Sequence, residues 1–435
     1  MSQPISLGPF RGVNNIDARN SSVFQLPLSP EVPSPFLRAA INVDLDREGW
    51  PRKRQGRTKV MELTDGHSGF AFQDVVYFVN GTDLIAVEKK DWANPVTLYQ
   101  GLVPGARVSF CEVGGQIFWC NGAQRGRIVG TQAFEWGMSR PRITSLGQTT
   151  GPLRPGRYMV AVTAETEDDQ ESGAFNASDI NVTQGAIVVN IAPCSYPFIN
   201  IYVSDPDGSS LFWARRVPTD QFPVIVNETS VSTDLLDSIA YGPTPLGHIV
   251  REFRGRLLVA LGNVLYFSSP ISPHLFRLGT DFQMFDSRIL MLEPLTEGFY
   301  IATETVTYWV EGAEPAEWRP RVVDKRKVAE GPGLRLSGRK VEGLNAETVY
   351  RRVQQPAAEV VIWMTQDGPA FGMSSGQVQL LFDGVVAMEQ AERAALGFRE
   401  IGGLRQVLMS LQQPTENRFA ATDRVTCTVI KAGEG

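Results

Sequence analysis

The residue types best suited to chemistry are few and widely spaced along this chain. The three histidines are His67, His248 and His274, and none is followed at i+2 to i+4 by a second histidine or cysteine. Closely spaced pairs of such ligands are the usual signature of a zinc site. We therefore expect no metal or other cofactor, and we expect each histidine to be a turn or surface residue.

One decapeptide is close to a known enzyme motif. Residues 204–213 read Ser-Asp-Pro-Asp-Gly-Ser-Ser-Leu-Phe-Trp, whereas the Asp-box turn of sialidase propellers reads Ser-x-Asp-x-Gly followed by an aromatic residue. The spacing differs by one residue, and Asp-Gly is an ordinary hairpin turn. The sequence also shows no Gly-x-Ser-x-Gly elbow and no phosphate-binding loop. We therefore predict a hairpin turn here, no catalytic residues, and a protein that is not an enzyme.

Two clusters of cations could instead contact a polyanion or an acidic neighbour. Residues 52–59 carry five cations, and a second cluster spans residues 319–327. The predicted contacts to DNA or to another subunit are Arg52, Lys53, Arg54, Arg57, Lys59, Arg326 and Lys327. The alternative is a solvated hairpin face whose cations pair with nearby acids such as Asp44, Asp46 and Glu48.

These clusters must be positioned by strands, because the chain repeats an apolar run, a tight polar turn and a second apolar run. The pattern stands at residues 75–87, 255–268 and 298–310, with weaker copies at 116–122 and 361–372. Gly, Asn and Asp reach positive φ at little cost, so each copy predicts a β-hairpin. Repeated hairpins favour a β-propeller-like ring of blades.

Composition agrees with a folded all-β chain. The 435 residues are 43% apolar, and the 41 glycines and 28 prolines fall between short apolar runs. No apolar run approaches the ~20 residues of a membrane helix, and the first residues lack a secretory pattern, so neither membrane insertion nor classical secretion is expected. The net charge of −6 excludes a globally basic protein. Four cysteines without a CxxC pair are expected to be reduced thiols, with a disulfide between Cys111 and Cys120 as an option.

The pattern divides the chain into four segments. Residues 1–40, rich in proline, are predicted to be an extended arm, and 41–150 the first part of the propeller. Five or six short strands in residues 151–243 predict an inserted β-sandwich of the fibronectin type III kind. Residues 244–435 are predicted to complete the propeller. One short C-terminal helix is predicted at residues 385–396, where strong helix formers precede Gly397.

Several of these stretches, taken in order, resemble virion tail proteins of tailed bacteriophages. The opening residues 8–15 read Gly-Pro-Phe-Arg-Gly-Val-Asn-Asn, and residues 39–56 contain Asn-Val-Asp followed by Gly-Trp-Pro-Arg-Lys-Arg-Gln-Gly. Further matching stretches are 254–260 with 265–270, 298–303, 158–163 and 171–173. The chain is similar to the propeller-bearing nozzle or tail-hub proteins of short-tailed phages over about residues 8–375.

The resemblance implies a structural virion protein with no catalytic residues to transfer. It would form a cyclic homo-oligomer, a hexamer being one such ring, around the channel through which the genome is ejected. Its partners would be portal or adaptor and tail-fibre proteins, with transient contact to phage DNA. It would be made in the host bacterial cytoplasm and reside in the phage tail. Nozzle, hub, stopper and fibre-anchoring collar all remain open.

Two other classes stay in view. The first is a carbohydrate-binding or glycan-degrading propeller that acts in host-surface recognition, where Trp and Tyr side chains would contact sugar. The second is an extracellular adhesion protein built on the sandwich module. Oligomeric state separates the first class from a conduit, because a conduit requires a closed ring.

Overall fold

The structure is a computed structural model, and it describes most of the chain. The described residues are 9–10, 13–18, 21–24, 34–41, 43–46, 49–54, 57–229, 231–337, 340, 359–381, 391–401, 404–412 and 427–432. The regular secondary structure of the described residues consists of β-strands and three short 3-10 turns. By its internal contacts it divides into two compact units, one comprising Met1–Gly105 with Phe285–Gly435 and the other Ala106–Met284.

The N-terminal part of the first unit contains seven strands. They are β1 (Val43–Leu45), β2 (Pro51–Lys53), β3 (Arg57–Leu63), β4 (Gly66–Phe72), β5 (Val75–Asn80), β6 (Asp83–Glu88) and β7 (Asp91–Tyr99). In the described N-terminal residues, a 3-10 turn at Ser22–Phe24 precedes them.

The second unit contains sixteen strands in its described residues. They are β8 (Ser109–Val113), β9 (Gln116–Cys120), β10 (Arg125–Val129), β11 (Gln132–Phe134), β12 (Ile143–Leu153), β13 (Gly156–Glu165), β14 (Ser178–Val182), β15 (Gly185–Ile191), β16 (Phe198–Ser204), β17 (Leu211–Pro218), β18 (Val224–Val226), β19 (Ile249–Phe253), β20 (Arg256–Leu261), β21 (Val264–Ser269), β22 (Ser272–Phe276) and β23 (Phe282–Met284). A 3-10 turn at Thr219–Gln221 follows β17.

The C-terminal part of the first unit supplies the remaining strands. They are β24 (Ile289–Pro294), β25 (Gly298–Thr303), β26 (Thr307–Glu311), β27 (Arg319–Asp324), β28 (Leu334–Ser337), β29 (Glu359–Thr365), β30 (Gly368–Met373), β31 (Val378–Leu380), β32 (Arg393–Ile401), β33 (Leu404–Gln412) and β34 (Cys427–Ala432). A 3-10 turn at Pro315–Glu317 lies between β26 and β27.

Five sheets among the described residues are antiparallel meanders, in which consecutive strands are neighbours. They comprise β4–β7, β8–β11, β19–β22, β24–β27 and β28–β31, and β23 is an additional strand that pairs with β21. A four-stranded antiparallel meander is the blade unit of β-propellers. The chain is therefore all-β with propeller-like sheets, as the repeated hairpins predicted.

The turn residues explain where the hairpins fold back. Gly81 and Gly262 adopt φ of +65° and +61°, and each lies in the two-residue turn that joins a predicted pair of strands, β5 to β6 and β20 to β21. A residue with a Cβ atom reaches this region only with strain. The weaker copies at 116–122 and 361–372 also lie on paired strands, β9 and β29–β30.

The core of the first unit includes a layer between the sheets β24–β27 and β28–β31. Tyr300 lies at its centre, with ring centroids 4.7 Å from Trp309 and 5.2 Å from Trp363. The hydroxyl of Tyr300 donates to the Met373 carbonyl at 2.6 Å. Buried aromatic rings of this kind, with the tyrosine hydroxyl hydrogen-bonded, fix how the two neighbouring sheets pack.

Two further sheets of the second unit enclose a common apolar core and form a β-sandwich. One has the strand order β12-β15-β18 and the other β14-β13-β16-β17. Their shared core contains Tyr158, Val162, Ile187, Ile199 and Ile201. The first sandwich strand begins at Ile143, before residue 151. The fibronectin type III identity of this sandwich and the four segment boundaries stay predictions.

The predicted C-terminal helix is wrong in its described part. Residues 385–390 lie outside the described residues, while Arg393–Ile401 forms strand β32, paired with β33 over nine successive positions. Leu396 packs against the core that contains Ile362 and Phe371, and Gly397 continues the strand instead of ending a helix. Pairing and burial override local helix propensity, which is worth well under ~1 kcal/mol per residue.

Candidate functional site

The first predicted cationic cluster lies on the hairpin β1–β2, where Asp44 stands opposite Arg52 in the register. Its cations are matched by carboxylates of the same hairpin. Arg52 Nε lies 2.9 Å from Asp46 Oδ2, and Arg54 Nη2 lies 3.0 Å from Asp44 Oδ1. Lys53 is exposed between them.

The remaining predicted contacts are arranged in a similar way. Lys59 Nζ is 2.9 Å from Glu62, and Arg326 holds Asp324 through two nitrogens at 2.9 and 2.8 Å. Lys327 is exposed, and the side chain of Arg57, a residue of β3, lies outside the described part. Four of the predicted cations thus form local ion pairs, as the solvated-face alternative expects, namely Arg52, Arg54, Lys59 and Arg326. Lys53 and Lys327 are exposed to solvent.

The N-terminal stretches that carry the phage-tail resemblance contact each other. The Phe10 amide donates to the Gly49 carbonyl at 2.8 Å, and the Asn14 amide donates to Leu37 at 2.8 Å. Gly49 has φ of +89°, and a Cβ there would lie 2.4 Å from the Phe10 carbonyl oxygen. Residues 9–10 of the predicted arm therefore contact the hairpin, and Asn14 is bonded to Leu37 within the arm. Residues 1–8, 11–12, 19–20 and 25–33 of the arm lie outside the described residues.

A polar cleft of about 660 Å³ lies in the second unit. Its floor is the outer face of the sandwich strands β13, β16 and β17, and its rim comes from the loop after β13 and from residues 232–238. The lining includes Glu165, Asp169, Glu171, Ser172, Asn200, Tyr202, Trp213, Arg216, Ser232, Asp234, Leu235, Leu236, Asp237, Ser238, Ser272, His274 and Leu275.

The floor of this cleft contains two hydrogen-bonded groups, one around Glu171 and one around Glu165. The Tyr202 hydroxyl donates to Glu171 Oε1 at 2.7 Å, and the hydroxyl of Thr163 donates to the same oxygen. Asn200 donates to Glu165 Oε2 at 2.6 Å and accepts from the Trp213 indole at 3.1 Å. Burial, together with the Glu171 charge, raises the pKa of Tyr202 well above its usual range. Tyr202 therefore remains a protonated donor that holds Glu171 in place.

Two contacts attach the loop after β13 to the blade sheets of the same unit. His274 Nε2, on β22, lies 2.9 Å from the Glu171 carbonyl oxygen, and the buried Arg127 of β10 pairs with Asp168. Burial lowers the pKa of His274 below its usual value, which favours the neutral ring. The expectation that every histidine is a turn or surface residue is wrong for His274.

The charge of the cleft is strongly one-sided. Five carboxylates line it, those of Glu165, Asp169, Glu171, Asp234 and Asp237, against one guanidinium, that of Arg216. Within the described ranges, no group of three or more His, Cys, Asp or Glu residues is arranged to hold a metal ion. Sequence reasoning missed this cleft because its residues lie far apart in the chain. The acidic composition of residues 165–171 is the signal that could have indicated one wall.

The Asp-box-like segment is the hairpin turn that its Asp-Gly pair predicted. Strands β16 and β17 are paired from Phe198–Pro218 to Ser204–Leu211, and the Gly208 amide donates to the Asp205 carbonyl at 2.9 Å. Asp207, at φ of +61°, accepts from the Arg157 amide at 3.0 Å. The carboxylate at this position therefore stabilises a turn.

Among the described residues the cysteines form no disulfide. Cys111 and Cys120 are buried on adjacent strands without a disulfide, and Cys194 is half-buried. Burial raises the pKa of the Cys120 thiol far above its usual value, so the thiolate is disfavoured.

Comparison with known proteins identifies no function for these sites. No family model matches the chain, and no curated protein matches it. Among solved structures, the N-terminal part of BBS1 in complex with ARL6 is 8% identical with a TM-score of 0.31, covering 82% of this chain and 94% of that one. AztD of Citrobacter koseri is 10% identical with a TM-score of 0.28, covering 80% and 90%. The N-terminal domain of Nup159 is 9% identical with a TM-score of 0.28, covering 82% and 74%. At these TM-scores the overlap carries no functional information.

Across the described ranges, no helix combines the length and the hydropathy needed to cross a bilayer.

Proposed function

We propose that this chain is a structural, non-enzymatic protein of a bacteriophage tail, of the nozzle or tail-hub kind. It assembles into a cyclic homo-oligomer around the DNA channel and anchors neighbouring tail proteins or fibres. The main support is the ordered resemblance of residues 8–375 to propeller-bearing tail proteins. The all-β sheets of propeller type are compatible with a rigid wall of this kind.

One structural observation carries the proposal furthest. The two stretches that open the resemblance are held together, because the Phe10 amide donates a hydrogen bond to the Gly49 carbonyl. The Asn14 amide donates a second hydrogen bond to the carbonyl of Leu37, just before the second stretch. This element is also tied to the C-terminal hairpin, since Arg399 Nη2 lies 3.2 Å from Asp44 Oδ2. A packed N-terminal element that presents exposed Arg52 and Lys53 is suited to contact a neighbouring subunit or DNA.

Assembly is the property to measure first. Purified protein would be examined by light scattering for mass and by negative-stain imaging for shape, with disrupted virions probed in parallel by an antibody. A closed ring with a central pore, or labelling on the tail axis, is the expected result. A compact monomer, or a trimer found on peripheral fibres alone, would contradict the proposal and favour glycan recognition.

The basic hairpin gives a second test. Reversal of Arg52 and Arg54 to Glu places acids beside Asp46 and Asp44, the present partners. We expect the triple variant R52E/R54E/R57E to assemble or deliver DNA poorly. The double variant K89E/K90E, at an exposed turn, is the matched charge control. Unchanged assembly and DNA delivery by the triple variant would remove the hairpin from the contact surface.

A further inference from the structure

The polar cleft has the charge and shape to receive a cationic side chain. We propose that it binds a lysine- or arginine-bearing segment of a partner protein. This inference concerns the second unit alone and goes beyond the assembly role proposed above, on which it does not depend.

The first argument is electrostatic. Arg216, the guanidinium of the cleft, lies 3.2 Å from Glu165, 3.9 Å from the exposed Asp169 and 3.9 Å above the Phe198 ring, so it offsets part of this charge and leaves the excess negative. At the rim, the carboxylates of Asp169, Asp234 and Asp237 are exposed. Charges of one sign in a concave site concentrate the field and raise the local concentration of an oppositely charged group.

The second argument is the apolar wall beside the charges. Leu235 is 57% exposed at the edge of the cleft, while Leu236 and Trp213 are half-buried within it. Lys and Arg side chains carry an apolar stem and a charged head, and they bind best where apolar surface lies next to acceptors. A volume of about 660 Å³ accommodates a side chain with its backbone and is far larger than a single ion needs.

The third argument is that the acceptors are already oriented. Glu171 receives hydrogen bonds from Tyr202 and Thr163 on Oε1, and in the described part of the chain its Oε2 receives none. The strands β13 and β16 that carry Thr163 and Tyr202 are paired directly, with Ala161 opposite Tyr202. A loop carboxylate that is held by donors on two paired strands and has one oxygen available is prepared to accept from an ammonium or guanidinium group.

The test is a titration of the full chain with two peptides by isothermal calorimetry. The probe is N-acetyl-tetralysine amide, and its matched control is the same peptide with every lysine side chain acetylated. We expect saturable binding of the charged peptide, weaker binding as salt rises, and no binding of the acetylated peptide. Equal binding of both peptides, or no binding of the charged one, would overturn the proposal.

Two double variants locate the binding. D169N/D237N removes two rim charges of the cleft, whereas D220N/E304Q removes two exposed carboxylates elsewhere. The first variant should weaken tetralysine binding about fivefold, as expected for two partly screened charge contacts, and the second should leave it unchanged. Equal weakening by both variants would show non-specific charge attraction and reject the cleft. Leu235→Ser, which keeps every charge, should also weaken binding, and unchanged melting temperatures would confirm that all variants fold.

Discussion

Asp44 and Arg399 are 355 positions apart in the chain and form an ion pair of 3.2 Å between Oδ2 and Nη2. Both side chains are largely buried, with 13% and 16% of their surface exposed. Asp44 also binds Arg54 at 3.0 Å. One carboxylate thus joins the N-terminal hairpin β1–β2 to the C-terminal hairpin β32–β33 of the first unit.

This junction predicts the effect of Asp44→Asn. Burial by itself would raise the pKa of Asp44, but hydrogen bonds from Gln406 and Arg54 and the charges of Arg54 and Arg399 lower it overall. The variant leaves two guanidinium groups without their anion, so we expect a loss of about 1–3 kcal/mol in stability. Hydrogen exchange of the peptide 393–401 should become faster.

The control for this prediction is Asp46→Asn on the same hairpin. Asp46 pairs with Arg52, which is 74% exposed, and a screened pair of this kind contributes little. An equal effect of both variants would contradict a special role for Asp44.

Because the folded pKa of Asp44 is lowered, its contribution to folding stability is present above the unfolded pKa and is lost as pH falls through the folded value. Asp44→Asn should therefore remove part of the acid dependence below pH ~4.

A second prediction concerns the close approach of Gly372 to Tyr300. A Cβ at Gly372 would lie 2.5 Å from Tyr300 Cζ. Tyr300 is fully buried, and its hydroxyl donates a hydrogen bond to the Met373 carbonyl. The ring cannot move aside cheaply, so Gly372→Ala should lower stability by about 1–3 kcal/mol. Gly397→Ala is the control, since no atom lies within 4 Å of its Cβ position. Thermal unfolding by calorimetry distinguishes them, and an equally small effect of both would show that the core accommodates the methyl group.

The parts of the fold that depend on local signals could be predicted from the sequence. The turns at Gly81 and Gly262 require positive φ, and short continuous apolar runs lie on both sides of each turn, so the hairpins followed directly. Residues 393–396 show the limit of such reasoning. Their composition favours helix, yet nine positions of pairing with β33 make them a strand, and that pairing depends on a partner which local composition does not indicate.

The candidate sites likewise combine residues that the sequence identifies with contacts that only the structure shows. The exposed cations of the hairpin β1–β2 could be found as a charge run, but their pairing with Asp44 and Asp46 needed the register of two strands. The cleft could not be predicted, because Glu165, Tyr202 and His274 meet only through tertiary structure. Long-range contacts of this kind leave no periodic signal in the sequence.

A third prediction uses the thiols as reporters of burial. Cys120 is fully buried and its pKa is raised by burial, while Cys194 is half-buried. Because the thiolate is the reactive form, iodoacetamide at pH 8 should modify Cys194 at least roughly tenfold faster than Cys111 or Cys120. Peptide mass spectrometry over time measures this, with urea-unfolded protein as the control in which all rates converge. Labelling of Cys120 at the rate of Cys194 in native protein would contradict the described core.

The last prediction concerns acid sensitivity of the second unit through His274. Burial lowers the pKa of His274 from its ordinary value of 6.5, the nearby Arg127 charge acts in the same direction, and the Glu171 carbonyl and Asp168 oppose it. The unfolded chain therefore binds a proton at this residue more readily than the folded chain does. Stability from this residue is complete above pH 6.5 and is lost as pH falls below that value.

The variant His274→Gln separates this titration from the structural contact. A glutamine amide can still donate to the Glu171 carbonyl, which His274 Nε2 now meets at 2.9 Å, but it does not titrate. We expect the melting temperature of the variant to fall less than that of the wild type between pH 7 and pH 5. His67→Gln in the first unit is the comparison variant. The pKa of His67 is also lowered by burial, so this change should reduce the acid sensitivity of the first unit, whereas hydrogen exchange of residues 160–171 in the second unit should keep its pH dependence. If the melting temperature of His274→Gln fell with pH as much as that of the wild type, protonation of the His274 ring would not be what destabilises this unit in acid.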